Sequence, residues 1–261
     1  MTVPAPDASL YVIHGSHACR TGMLMLEHKG IAYRRVDLIT GLHPFSVRAR
    51  GFSGHRTPIR SVEGHTHRSL AMLDRAGTVP ALAFGSEHIQ TNHDISRFLD
   101  RVQPEPALFP ADHEQRRAVE EAERWGDEVL QMAARRVALA TTLHGLDAVH
   151  ERGNDGRLGP LLARSEPVRM IASQISGRLA FRANPGNERE LVNALPPMLD
   201  RIDAWIDDGV LNASALNAAD FTIAPSLALL TYRPDLRADI QARAAGRLID
   251  RLLPEPGPTA G

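Results

Sequence analysis

The chain has 261 residues, 43% of them hydrophobic and 23% charged, enough apolar material for one large domain or two small ones. A formal net charge of −1 supplies no global field for nucleic acid or an anionic membrane surface, and no apolar run approaches the ~20 residues of a membrane span. A single cysteine, Cys19, excludes an internal disulfide and a cysteine-based zinc cluster and fits a reducing, cytoplasmic setting; residues 1–8 read without the basic and apolar regions of a signal peptide.

Residues 10–13 (Leu-Tyr-Val-Ile) form a short apolar run, the pattern of a buried strand. Gly15-Ser16-His17 breaks it. A helix follows through Lys29, with Ala18, Gly22 and Leu26 on one face, and Gly30 takes the position a helix C-cap prefers. Residues 32–38 read as a second strand, so the chain opens as a βαβ unit with a parallel pair. The pattern weakens over 41–77, where an insertion is expected at 55–76 with a helical turn inside it at 69–75.

Thr78-Val79-Pro80-Ala81-Leu82 follows. A Val-Pro bond entering a short apolar strand is a candidate cis peptide, one that offers the Val79 backbone to a partner chain. Residues 81–84 and 87–90 flank Gly85-Ser86, a pair suited to a type II′ hairpin. Thr91 with Asp94 has the form of a capping box opening a helix over 92–101, whose free N–H groups suit a carboxylate. The proline-rich stretch 103–110 is a domain boundary. Asp112 with Gln115 starts a long helix expected to reach about residue 143. The remainder reads as helix, interrupted at 153–159, 184–187 and 207–211, with Pro196-Pro197 at a helix start. Asn217 and Asp220 form a second capping box, and Leu216 with Phe221 a hydrophobic staple. They introduce a segment, 221–230, apolar enough for burial on every side.

Val79-Pro80, Gln90-Thr91 and the Asn217/Asp220 cap, in this order and spacing, resemble the glutathione S-transferase superfamily. The resemblance spans about residues 9–253. It implies an α/β thioredoxin-like N-terminal domain (1–102), a linker (103–112), an all-α C-terminal domain (113–253) and a flexible tail (254–261). In that family the Val-Pro backbone pairs with the cysteinyl unit of glutathione. A Glu-Ser or Gln-Ser pair receives its γ-glutamyl end, where this chain has Gln90-Thr91. The resemblance further implies glutathione as co-substrate, a small hydrophobic electrophile as partner, a homodimer and no metal.

Such an enzyme must make a thiolate near neutral pH. A free thiol ionises near pH ~8.5, and lowering that by two units needs about 2.7 kcal/mol, within reach of one hydrogen bond to a charged group at roughly 1.5–3 kcal/mol. Ser16 matches the catalytic position of the serine- and cysteine-type classes; the plainer reading is that it only caps the first helix. Cys19, one turn into that helix, is a rival as a reactive thiolate, against a buried apolar role. Tyr11 ranks third. His14 and His17 flank Ser16, and His17 is a candidate pocket residue. Arg48, Arg50 and Arg56 are candidates for the glycine carboxylate, and Arg124, Trp125 and Glu128 for a co-substrate pocket between the domains. His55, His65 and His67 read as a solvated loop rather than a metal tract, and Arg116-Arg117 and Arg135-Arg136 as solvated helix faces. The leading expectation is a glutathione transferase-like enzyme performing conjugation, isomerisation or ether or halide cleavage. The alternatives are a binding or assembly protein on the same fold, or an enzyme using another thiol or none.

Overall fold

The computed structural model describes residues 7–54, 78–141, 157–158 and 183–254. The expected insertion at 55–76, its helical turn, Arg56 and the three loop histidines lie outside the described residues.

Strand β1 (Ala8–Val12) leads through Gly15 and Ser16 into helix α1 (His17–His28). Gly30, at φ 64°, turns the chain into β2 (Tyr33–Asp37), a backbone region that glycine enters without steric cost. A short helix α2 (His43–Arg48) precedes the hairpin β3 (Ala81–Phe84) and β4 (Glu87–Gln90). At the hairpin tip Gly85 alone has positive φ, 56°, as a type II′ turn requires. Helix α3 (Asn92–Val102) follows. The sheet order is β2-β1-β3-β4, with β1 parallel to β2 and antiparallel to β3. This is the mixed sheet of a thioredoxin-like domain.

The helical part holds α4 (His113–Trp125), a π-helical turn (Gly126–Leu130), α5 (Gln131–Thr141), α6 (Pro185–Asn193), α7 (Leu195–Asp207), α8 (Ala218–Leu230), α9 (Pro234–Ala242) and α10 (Ala244–Leu252). The long helix expected from residue 112 runs on continuously from His113 to Thr141, with one π-helical turn in its middle. The turn begins at a close contact: a methyl group on Gly126 would stand 2.9 Å from Ile223 Cγ1 and 3.1 Å from Thr222 Cγ2. The backbone of the turn lies directly against α8.

Helix α8 is buried along its whole length and packs on α1, α4, α5 and α10. Both halves of its capping box form. Asn217 Oδ1 accepts from the Ala219 and Asp220 N–H groups, and the Asp220 carboxylate accepts from Asn217 N–H at 2.9 Å and Asn212 N–H at 2.7 Å.

Lys29, at the C-cap of α1, is buried, yet each direction of its ammonium is met. Nζ donates to Asp100 Oδ1 at 2.7 Å, to the Gln103 carbonyl at 2.7 Å and to the Pro104 carbonyl at 3.1 Å. Asp100 also accepts from Leu108 N–H. One buried ion pair therefore joins the first helix to the linker, a cost in desolvation met by multiple hydrogen bonds.

Candidate functional site at the first turn of α1

Strand order decides what meets at the end of β1. Tyr11 pairs with Ala81 across the sheet, so the residues just before Ala81 lie beside the C-terminal end of β1. The Val79–Pro80 peptide there is cis. Helix α1 approaches it at a glycine: a methyl group on Gly22 would sit 3.3 Å from Pro80 Cβ. Asn92, the first residue of α3, donates from Nδ2 to the Ala18 carbonyl at 3.0 Å. The opening turns of α1 and α3 and the Val79–Pro80 corner are thereby held together.

Ser16 is the N-cap of α1, and its Oγ accepts from Cys19 N–H at 3.2 Å. The capping role read from sequence is present. It uses a lone pair of the hydroxyl and leaves the O–H to donate elsewhere. Thr91 caps α3 in the same way, accepting from Asp94 N–H at 3.2 Å, and its backbone has φ 73°. Asp94 Oδ1 also lies 3.1 Å from His93 Nδ1.

Gln90 is buried at the end of β4, and both ends of its amide are engaged. Oε1 accepts from Gly54 N–H at 2.8 Å, and Nε2 donates to the Thr78 carbonyl at 3.0 Å. It ties the approach to the Val79–Pro80 corner to the turn after α2. Arg50 lies over the Tyr11 ring, 5.5 Å from its centroid, and Nη1 donates to the Ser46 carbonyl. Tyr11 meets Phe52 edge to face, on the opposite sheet face from Leu10 and Val12. Arg48 is exposed on α2. His14 lies 3.5 Å from Asp37.

Cys19 is buried, and loss of hydration raises its thiol above the usual range despite the Ser16 contact. His17 is also buried. Its Nε2 lies 3.1 Å from the Gln131 carbonyl, and burial, reinforced by the Arg135 charge, pulls its pKa down to about 3. His17 is a neutral ring that joins α1 to α5.

The three residues expected on the long helix for a co-substrate pocket have distinct surroundings. Arg124 is exposed, and Trp125 packs edge to face on Trp205 with Arg201 over both rings. Glu128 is half-buried within the π turn. The contact of this helix with α1 comes later, at the Gln131 carbonyl that His17 meets. Asp127, Gln131 and Arg135 stand at four-residue intervals and bond in series: Gln131 Nε2 donates to Asp127 Oδ1 at 2.9 Å, and Arg135 Nη2 donates to Gln131 Oε1 at 3.0 Å. Burial raises the Asp127 carboxyl, and burial with the Arg135 charge lowers His43 to about 4. The reading of Arg135-Arg136 as a solvated face is corrected here. Arg136 is buried and Arg135 half-buried, because both faces of α5 are covered by neighbouring elements. Arg116, paired with Glu120 at the surface, is solvated as expected. The stripe 127, 131, 135 is legible in the sequence as polar residues repeating every four positions on an apolar helix.

On the β2 side of Ser16 lies a cavity of about 130 Å³. Ser16, Val12, Met23, Arg20, Arg35 and Leu158 line it, with Ile13 and Cys19. Among the described residues, no group of three or more His, Cys, Asp or Glu side chains is placed to hold a metal ion, and no helix is long and apolar enough to cross a membrane.

No protein-family model and no curated protein matches the sequence. Solved structures do. A glutathione S-transferase of Ceriporiopsis subvermispora in complex with glutathione aligns with TM-score 0.58 and 15% identity over 94% of this chain and 96% of that one. A glutathione S-transferase of Methylobacillus flagellatus with glutathione bound gives 0.55 and 17% over 94% and 93%. The β-etherase LigF of Sphingobium sp. strain SYK-6 gives 0.55 and 17% over 94% and 98%. A GST-like protein of Pseudomonas syringae gives 0.55 and 17%, but the chain spans 66% of that protein's length. The chain has the glutathione S-transferase fold.

Proposed function

We propose that this chain, with its glutathione S-transferase fold, is an enzyme that binds glutathione along the Val79–Pro80 corner and stabilises its thiolate with the Ser16 hydroxyl. The observation that carries the reading is the convergence at α1: Ser16 caps the helix, and Gly22 of the same helix packs on Pro80. A thiolate beside Ser16 accepts the Ser16 O–H and lies near the positive end of α1, two effects that favour the anion. The thiol proton leaves to water. The sulfur then attacks an electrophilic carbon; in a substitution the S–C bond forms as the bond to the leaving group breaks, and that group departs with its electron pair. Fold likeness alone does not choose among conjugation, isomerisation and ether cleavage. Thr91 and the free N–H groups of α3 form the socket for the γ-glutamyl carboxylate in this reading. Burial and a thiol pKa raised by it weigh against Cys19 as the nucleophile in this reading.

One observation favours a second reading. The Gln90 amide, which the family resemblance would turn toward the γ-glutamyl end, is engaged by Gly54 and Thr78. A chain with that contact closed fits a different thiol, or a binding protein without thiol chemistry. Calorimetry with glutathione separates the two. Saturable binding, together with a bound thiol pKa lowered in the wild type and restored in Ser16→Ala, supports the enzyme. Binding without a lowered pKa supports the binding protein, and no binding supports another thiol or none.

A further inference from the structure

Resting on the reading of glutathione held at the Val79–Pro80 corner, we infer that Gln90 is a positioning residue: its side chain sets the shape of that corner and does not touch the thiol peptide. The family resemblance assigns it the opposite role, a contact with the γ-glutamyl end. The strand register places Gln90 opposite Ala81 across β3 and β4, so its backbone stands beside the residue that follows Pro80. Its side chain reaches back along the chain. Nε2 donates at 3.0 Å to the carbonyl of Thr78, the residue that precedes Val79. One residue thus grips the chain on both sides of the Val79–Pro80 pair, while Gly22 of α1 packs on Pro80 itself.

Gln90 is held in turn. Its Oε1 accepts from Gly54 N–H at 2.8 Å. Gly54 has φ 81° and Gly51 φ 90°, backbone that a side chain enters only with strain. Between them Phe52 is 2% exposed, and it meets Tyr11 of β1 and His88 of β4 edge to face, with ring centroids 5.6 and 4.8 Å away. The acceptor end of the amide is therefore fixed to a turn pinned on the sheet, and the donor end to Thr78. Gln90 itself is only 7% exposed. Turning its amide toward a ligand gives up two bonds and leaves a partly buried N–H and a partly buried carbonyl unmet. The γ-glutamyl end is then left to Thr91 and the first turn of α3. What Gln90 governs is the cysteinyl backbone of the thiol, at the corner.

NMR titration of the full chain and of Gln90→Met with two thiols tests the assignment. One is reduced glutathione; the other is cysteinylglycine, which keeps the cysteinyl backbone and lacks the γ-glutamyl group. The variant is expected to weaken both by the same factor, about tenfold. A loss confined to glutathione, or no loss with either thiol, overturns the inference. The backbone Cα shifts of Thr78 and Val79 in the ligand-free chain give a second readout. They are expected to move in Gln90→Met, and unchanged shifts in the folded variant overturn the inference as well. Should Gln90→Met unfold, Gln90→Glu carries the same test at about pH 8, where its carboxyl is ionised: it keeps an acceptor for Gly54 N–H and loses the donor to Thr78. A wild type that binds neither thiol overturns the glutathione reading, and the ligand-free shifts then decide the role of Gln90 at the corner. Glutathione bound by the wild type, with a loss confined to it in the variant, leaves that reading standing and overturns this inference alone.

Discussion

At the scale of single residues, the first turn of α1 divides its labour. Ser16 has a hydroxyl proton to give, Cys19 is buried at the cavity wall, and His17 holds the helical half through its neutral ring. Each assignment has its own test. Iodoacetamide is expected to leave Cys19 unmodified in the folded chain from pH 5 to about pH 9, above the ordinary thiol pKa of ~8.5, and to label it once the chain unfolds. Labelling of the folded chain below pH 7 would remove the argument for burial. The His17 ring, with pKa about 3 when folded and ~6.5 when unfolded, binds more protons in the unfolded chain between those values. Its contribution to stability is therefore complete above pH 6.5 and is lost as pH falls toward 3. Urea midpoints should drop by the equivalent of about 2 kcal/mol between pH 7.5 and pH 5. The drop should shrink in His17→Gln, which keeps a donor for the Gln131 carbonyl and cannot titrate in that range. An unchanged slope in that variant would show that other groups set the acid limit.

At the scale of elements, two glycines mark where helices come closest. Gly126 lets the π turn press on α8. In Gly126→Ala the added methyl meets Ile223 and Thr222 at 2.9 and 3.1 Å, and the expected loss is about 1–3 kcal/mol by chemical denaturation; a stabilised variant would mean that α8 yields easily. Gly22→Ala presses on Pro80 at 3.3 Å. The same contact fixes the proposed thiol edge against α1, so this variant should lose glutathione affinity before it loses stability. Asn217→Ala removes the acceptor for two N–H groups of α8 and should cost about 1 kcal/mol. These features were unequally legible. The Asn217/Asp220 cap, the Gly85 turn and the Val79–Pro80 corner are local, written in a few consecutive residues. The close approach at Gly126 is tertiary, since it depends on which residues of α8 face it.

At the scale of the whole molecule, α1 is the shared wall. It lies against α8 on one side and the Val79–Pro80 corner on another, and its C-cap lysine anchors the linker. Lys29→Met should destabilise the whole chain by about 3–5 kcal/mol, because it leaves Asp100 and two carbonyls without their cation. A loss confined to one transition of a two-step melt would instead mean that the halves unfold separately. Composition and order made this architecture readable, while the site between the halves was only partly so: Ser16 and Pro80 stand in short motifs, but Gln131, Arg135, Arg35 and Leu158 join them solely through the fold. The central claim, that Ser16 makes a thiolate of glutathione held at Val79–Pro80, is tested most directly by titrating the ultraviolet absorbance of bound glutathione thiolate in wild type and Ser16→Ala. The account predicts a bound thiol pKa about two units below the free value of ~8.5 in the wild type and close to it in the variant. An equal pKa in both proteins, lowered or not, would contradict it.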